Sequence, residues 1–340
     1  MSAPELYISL PTAVVPPVPV SNDEVIARVR ANFRGDETTW RRIERTIRFV
    51  FTTCGTKVRY AQLDQPQAAG THAARTAAAL LAENGLGSDQ IDALVYASIV
   101  REYFEPAVAT EVAWRLGANR ALAFDVVAAC AGPIVAIDTL RGRAVIDPDW
   151  QIAVVSTASL NDGFIGFDIQ DPAQLDVLAA GLTIGQAMTA TLVGRKPFAH
   201  GGRIIGSYLE GVPLHHPLCQ APVFGVFRSA GSALFALAEL VPGHIERACA
   251  RVGWKVNEVD LFIFHQPSDR ILREIAANMG IERDRMPGLH HIYGNTEASA
   301  VPLTLRHVAD TGRLRPGMKL LLGSAAAGFI IGTVAVEWLG

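Results

Sequence analysis

Along most of the chain, short apolar runs alternate with stretches whose apolar positions recur at helical spacing, the pattern of an α/β protein with helices covering its sheets. The pattern also repeats at long range. Residues 80–96 and 248–264 each read as a helix closed by glycine (Gly85, Gly253), a short polar turn and a buried strand, with Ile91 matching Val259 and Asp92 matching Asp260. The copies lie half a chain apart, far beyond a solenoid period of about 20 to 50 residues, and predict duplication of a whole subdomain. Residues 320–336 carry no charge over 17 positions, close to the roughly 20 that a bilayer span needs. A Gly/Ala turn divides that segment, which predicts two tightly joined buried strands rather than an anchor. Residues 123–137 predict an apolar strand running into a helix, with Cys130 at the junction and Pro133 in the first turn, where its missing N–H costs no intrahelical bond.

Composition narrows the function classes. Half of the 340 residues are hydrophobic and 19% are charged, enough apolar material for a large buried core. Thirty Lys and Arg against thirty-three Asp and Glu leave a net charge of −3, which offers no basic field for a nucleic-acid backbone or an anionic membrane. Neither is expected as a partner. The four cysteines (Cys54, Cys130, Cys219, Cys249) form no CxxC pair, and their scatter predicts reduced thiols in the cytoplasm. Pro11, Pro16, Pro17 and Pro19 interrupt the region where an export signal would need an unbroken apolar run.

Cys130 stands out chemically. A thiol at a helix N-terminus faces unpaired backbone N–H groups and the positive end of the helix dipole, so a lowered pKa is expected. His265 ends the run Leu261-Phe-Ile-Phe264, where a lone histidine is ordinarily structural, and Asn295 lies in Gly294-Asn-Thr296, ordinarily a turn. Cys219 and Cys249 read as small buried hydrophobes, and Cys54 as a turn residue or a neighbour of a site's mouth. The pairs His215-His216 and His290-His291 point their side chains in different directions and have no carboxylate or cysteine cluster beside them, so no metal is expected. Walker, GxGxxG and GxSxG motifs are absent.

Three motifs in order, Asp125-Val-Val-Ala-Ala-Cys130-Ala-Gly132, His265-Gln-Pro-Ser-Asp-Arg270 and Tyr293-Gly-Asn295-Thr-Glu-Ala-Ser299, resemble the β-ketoacyl-acyl-carrier-protein synthase III family of the thiolase superfamily, over about residues 22–338. The resemblance implies an α/β thiolase-like fold of duplicated five-stranded units in αβαβα layers, with halves at 1–195, carrying the cysteine, and 196–340, carrying the His and Asn. It implies that Cys130 takes an acyl group from an acyl-CoA or an acyl carrier protein, and that His265 and Asn295 handle a malonyl-type extender in a decarboxylative Claisen condensation. It further implies an oxyanion hole from the backbone of Cys130 and Ala327, no metal or redox cofactor, and a homodimer in which Phe104 closes the partner's acyl pocket. Trp40, Arg45 and Arg48 fall where the family has its coenzyme A entrance, and Arg270 where it docks a carrier. Arg41, Arg45 and Arg48 share one helix face with Trp40, which equally fits an ordinary solvated face.

The chain also departs from the family's pattern. Ser324-Ala-Ala-Ala327-Gly-Phe329 stands where the family commonly has Gly-Gly-Gly-Phe, and Gly185-Gln-Ala-Met-Thr189 replaces Gly-Asp-Gly-Ala-Gly. These departures point to a specialised pathway. They keep a second reaction open, acyl transfer from Cys130 to an alcohol or amine with His265 as general base and no carbon–carbon bond formed.

Overall fold

A computed structural model describes residues 4–61, 68–160 and 162–340. Nine strands follow one hydrogen-bonded path in the order Leu261–Phe264, Lys319–Ala326, Ile330–Trp338, Gly201–Gly211, Leu6–Ser9, Ala187–Gly194, Ile152–Ser159, Ala93–Tyr96 and Leu122–Asp125; Thr12–Val14 adds a tenth against Ala187–Gly194. The path is two copies of one arrangement. In the amino-terminal arm Ala93–Tyr96 runs parallel to Ile152–Ser159, which pairs antiparallel with Ala187–Gly194. In the carboxy-terminal arm Leu261–Phe264 runs parallel to Lys319–Ala326, which pairs antiparallel with Ile330–Trp338. The arms join where Leu6–Ser9 pairs with Gly201–Gly211. Leu122–Asp125 has no counterpart in the carboxy-terminal arm among the described residues, so the expected five strands are four there.

The repeat read from the sequence recurs in the closing glycines and in the strand-bracing role of the matching aspartates. Gly85 and Gly253 close their helices at φ +64° and +73°, a left-handed conformation that glycine adopts without strain. Asp92 donates its N–H to the carbonyl of Ile152 and accepts from the N–H groups of Gln151 and Ile152. Asp260 donates to the carbonyl of Lys319 and accepts from its N–H at 2.7 Å. Each aspartate thereby pins the first residue of a neighbouring parallel strand.

Three apolar clusters define the layers. Helices Gly132–Ile146 and Ala300–Asp310 lie between the arms, where Ile134, Ile137, Leu140, Val301 and Leu305 pack against strand residues of both. Helices Ala69–Glu83 and Val108–Leu116 cover the outer face of the amino-terminal arm. Helices Gly231–Arg251 and Asp269–Asn278 cover the other. The stacking is αβαβα, as expected. The uncharged segment forms the predicted hairpin, with nearly every residue buried. No helix among the described residues is long and apolar enough to cross a membrane. A fourth cluster, built on Asn22–Asn32 and Glu37–Cys54, packs against residues 169–182.

Candidate active site

The two central helices bring the candidate residues to one end of the molecule. The segment Ala129–Ala131 leads directly into helix Gly132–Ile146, whose first turn holds Pro133 as the sequence predicts. Cys130 is therefore placed at a helix N-terminus. A Cβ on Gly132 would meet the Ala97 carbonyl oxygen at 2.6 Å, so this close approach of helix to strand requires glycine. His265 follows strand Leu261–Phe264, held by its N–H to the Gly323 carbonyl at 2.8 Å. Asn295 follows the turn at Gly294 and is clamped to the facing segment: its N–H donates to Thr183 and its carbonyl accepts from Gly185. The Asn295 Oδ1 accepts from the Glu297 N–H at 3.0 Å, leaving the side-chain NH2 as its donor end.

Cys130, His265 and Asn295 line one cavity of about 1130 Å3, together with Phe104 and Ala327. Its walls are largely apolar, contributed by residues such as Ile99, Phe164, Phe227, Leu237 and Ile330. Three non-glycine residues have positive φ among the described residues, Ala129 (44°), Glu297 (48°) and Phe329 (51°), and all three line this cavity. Each costs on the order of 1–3 kcal/mol, and such strain gathers where a site dictates backbone geometry.

The electrostatics differ from expectation at Cys130. Its thiol is pushed well above the usual cysteine value, first by burial and then by the nearby Glu297 and Cys219. Removal from water outweighs the helix terminus, so the resting group is a thiol. Burial likewise drives the His265 pKa down to about 3. The imidazole is neutral at ordinary pH, able to donate one hydrogen bond and a weak proton acceptor.

The residues expected at the coenzyme A entrance do not line this cavity. Trp40 is 6% exposed and packs with Phe33 in the fourth apolar cluster, under the Arg30 guanidinium. Its indole is core, which corrects the expectation of an accessible stacking surface; an apolar face at helical spacing buries its largest ring first. Arg48 pairs with Glu44 and Asp23, Arg41 with Glu37, and Arg45 is exposed on the same helix. Arg270 pairs with Glu274 and lies near Cys54 on the cavity wall, whose thiol burial pushes up despite the Arg270 charge. Phe104 is 73% exposed on the cavity lining, as are Val127 and Phe224 in part. Sequence reasoning missed Glu297 and Cys219, both in the cavity. Glu297 stands two positions from Asn295, and that adjacency was its one visible signal. Among the described residues no group of three or more His, Cys, Asp or Glu side chains is arranged to hold a metal.

Fold and relatives together define a condensing enzyme of the acyltransferase type. The family model for the carboxy-terminal part of 3-oxoacyl-acyl-carrier-protein synthase III matches residues 249–338. A curated relative, β-ketoacyl-acyl-carrier-protein synthase III 3 of Streptomyces coelicolor, is 31% identical over 74% of this chain and 78% of its own. The synthase III of Latilactobacillus sakei is 28% identical over 78% of this chain and 83% of its own. The chain belongs to the β-ketoacyl-acyl-carrier-protein synthase III family. Among solved structures, the synthase III of Pseudomonas aeruginosa superposes with a TM-score of 0.82 at 25% identity, covering 99% of each chain. Xanthomonas campestris OleA, crystallised as a variant with lauric acid and lauroyl-CoA, superposes at 0.89 with 21% identity over 99% of this chain and 100% of its own, a likeness of fold.

Proposed function

We propose that Cys130 takes an acyl group from an acyl-CoA or acyl-carrier thioester and that the acyl group is then condensed with a malonyl-type thioester. The observation that supports this most directly is the convergence of a helix-terminal thiol, a neutral histidine and an asparagine amide on one apolar cavity. Covalent capture on sulfur splits one difficult transfer into two easier ones. His265 and the Asn295 amide then donate to the thioester oxygen as loss of carbon dioxide places negative charge there. The backbone N–H groups of Cys130 and Ala327 serve as the oxyanion hole of the acyl transfer, and no metal or redox cofactor is needed. Transfer to an alcohol or amine requires His265 as a base, and a histidine with a pKa of about 3 is poorly suited to that role.

The cavity of about 1130 Å3 exceeds the roughly 300–1,000 Å3 of ordinary ligand pockets, and its apolar walls favour a fatty acyl chain of the lauroyl type that OleA holds. The exposed Phe104, Val127 and Phe224 on its lining support a homodimer that covers them. In this reading the enzyme works in the cytoplasm and Arg270 meets an acidic carrier protein. The test is intact-protein mass spectrometry with a panel of acyl-CoA thioesters. The parent gains one acyl mass and Cys130→Ala gains none while keeping its fold; stoichiometric acylation of Cys130→Ala would sink the assignment.

A further inference from the structure

Glu297 lines the cavity, and the reaction proposed above leaves it unused. It is 7% exposed, a buried position for an acidic side chain. Its backbone is strained at φ +48° and held by its N–H, which donates to Asn295 Oδ1 at 3.0 Å. Two residues on, Ser299 is tied to Thr157 and to the Ala187 carbonyl, which makes a rigid base. The segment Glu297–Ser299 packs directly on Ala129–Ala131, and both Glu297 and Cys130 line the cavity, near enough for the charge of one to act on the thiol of the other.

We propose that Glu297 carries the proton of Cys130 in both half-reactions, an inference that rests on Cys130 being the acyl-accepting nucleophile. During loading, Glu297 takes the Sγ–H proton as sulfur attacks the thioester carbonyl. The bond from that carbonyl to the departing sulfur breaks, and Glu297 returns the proton to the leaving thiolate. Acyl-enzyme, free thiol and carboxylate result. During condensation, the enolate left by loss of carbon dioxide attacks the acyl carbon and the carbon–sulfur bond to Cys130 breaks. The released thiolate then takes one proton through Glu297 from water, whose hydroxide combines with the released carbon dioxide as bicarbonate. Such a carrier is required because the resting thiol is not ionised and the neutral His265 is a weak acceptor.

The other titratable or charged groups around this pair are Cys219, which feels the Glu297 charge, His265 with His290 behind it, and Cys54, Arg101, Glu102, Tyr103 and His216 on the cavity lining. A pH profile assigned to Glu297 must therefore change in a Glu297 variant. The experiment measures single-turnover acylation by lauroyl-CoA from pH 5.5 to 9.5, by quenched intact mass, in the parent, Glu297→Gln and Glu297→Asp, together with the rate of Cys130 alkylation by iodoacetamide. In the parent the acylation rate is expected to be level through neutral and alkaline pH. In Glu297→Gln it falls about a hundredfold at pH 7 and climbs about tenfold per pH unit as the thiol ionises. Alkylation of the same variant becomes faster, because no negative charge opposes the thiolate; Glu297→Asp recovers part of the acylation rate. Acylation of Glu297→Gln equal to or faster than the parent at pH 7, or acylation and alkylation slowed together, overturns the proposal. If Glu297→Gln fails to fold, a parent rate that itself climbs tenfold per pH unit through the alkaline range overturns it equally. A parent that lauroyl-CoA and every other acyl-CoA leave unmodified overturns the proposed function as well, whereas acylation indifferent to Glu297 overturns this inference alone.

Discussion

Replacing Gly185 with alanine is expected to separate the two halves of the reaction. Gly185 belongs to the segment that holds Asn295: its N–H donates to the Asn295 carbonyl at 3.0 Å, and the carbonyl of Thr183, two residues before it, accepts from the Asn295 N–H at 2.9 Å. A Cβ added at Gly185 would lie 2.0 Å from the backbone carbonyl oxygen of Tyr293 and 3.3 Å from the Arg59 Cβ. An ordinary carbon–oxygen contact exceeds 3 Å, so the segment carrying Asn295 must retreat by about 1 Å, and a misplacement of that size costs on the order of a hundredfold in rate. Overpacking of this kind also costs about 1–3 kcal/mol of stability. Cys130 stands on a different segment, at the start of helix Gly132–Ile146. Gly185→Ala should therefore acylate at Cys130 within a few-fold of the parent while forming ketoacyl product about a hundredfold more slowly. Gly142→Ala is the control: no atom lies within 4 Å of its added Cβ in that same helix, so both rates should be unchanged. Intact-mass acylation kinetics and single-turnover product formation on the three proteins decide the matter. Parallel loss of both steps in Gly185→Ala, or no loss of either, would refute the reasoning.

Two further outcomes follow from the same structure. The His265 pKa lies near 3 in the folded chain against about 6.5 unfolded, so below pH 6.5 the unfolded chain binds a proton that the folded one refuses; stability is full above pH 6.5 and falls as pH drops toward 3, by at most about 5 kcal/mol. Denaturant unfolding at pH 7 and pH 4.5 should show a steeper loss in the parent than in His265→Gln, and equal losses would contradict the assignment. Asp92→Ala removes the acceptor of two strand-initiating N–H groups and Asp260→Ala the acceptor of one. At about 1 kcal/mol for each lost bond, both should lower the denaturation midpoint, the first more than the second; unchanged midpoints would show that the matching aspartates do not brace the two arms.

What the sequence made legible was what local pattern encodes. Gly85 and Gly253 announce helix ends, Asp92 and Asp260 the turns after them, and the Gly/Ala break within 320–336 the hairpin, because each depends on neighbours only a few residues away. Cys130, His265 and Asn295 were legible as motifs, and the fold brings all three to one cavity. The ionisation of Cys130 was not legible. A helix terminus can be read from Pro133, but the burial that outweighs it comes from segments more than a hundred residues away, including the turn at Phe329 and the strand ending at His265. Trp40 shows the same limit from the other side: beside three arginines it reads as an interface residue, and only the packing of Asn22–Asn32 against Glu37–Cys54 reveals it as core. Glu297 was not singled out because nothing in a linear chain shows that residues 129–131 lie against it.

The central claim is that Cys130, His265 and Asn295 form one condensing site, and it is tested most directly by pre-acylating the enzyme, adding a labelled malonyl thioester and following carbon dioxide release in the parent, His265→Ala and Asn295→Ala proteins. The account predicts stoichiometric release with ketoacyl product in the parent. It predicts a fall of roughly a hundredfold to a thousandfold in each variant, the cost of one lost donor to a developing oxyanion, with Cys130 acylation largely intact in both. Absence of release from the acylated parent with any malonyl thioester, alongside transfer of the acyl group to a hydroxyl or amine, would contradict it.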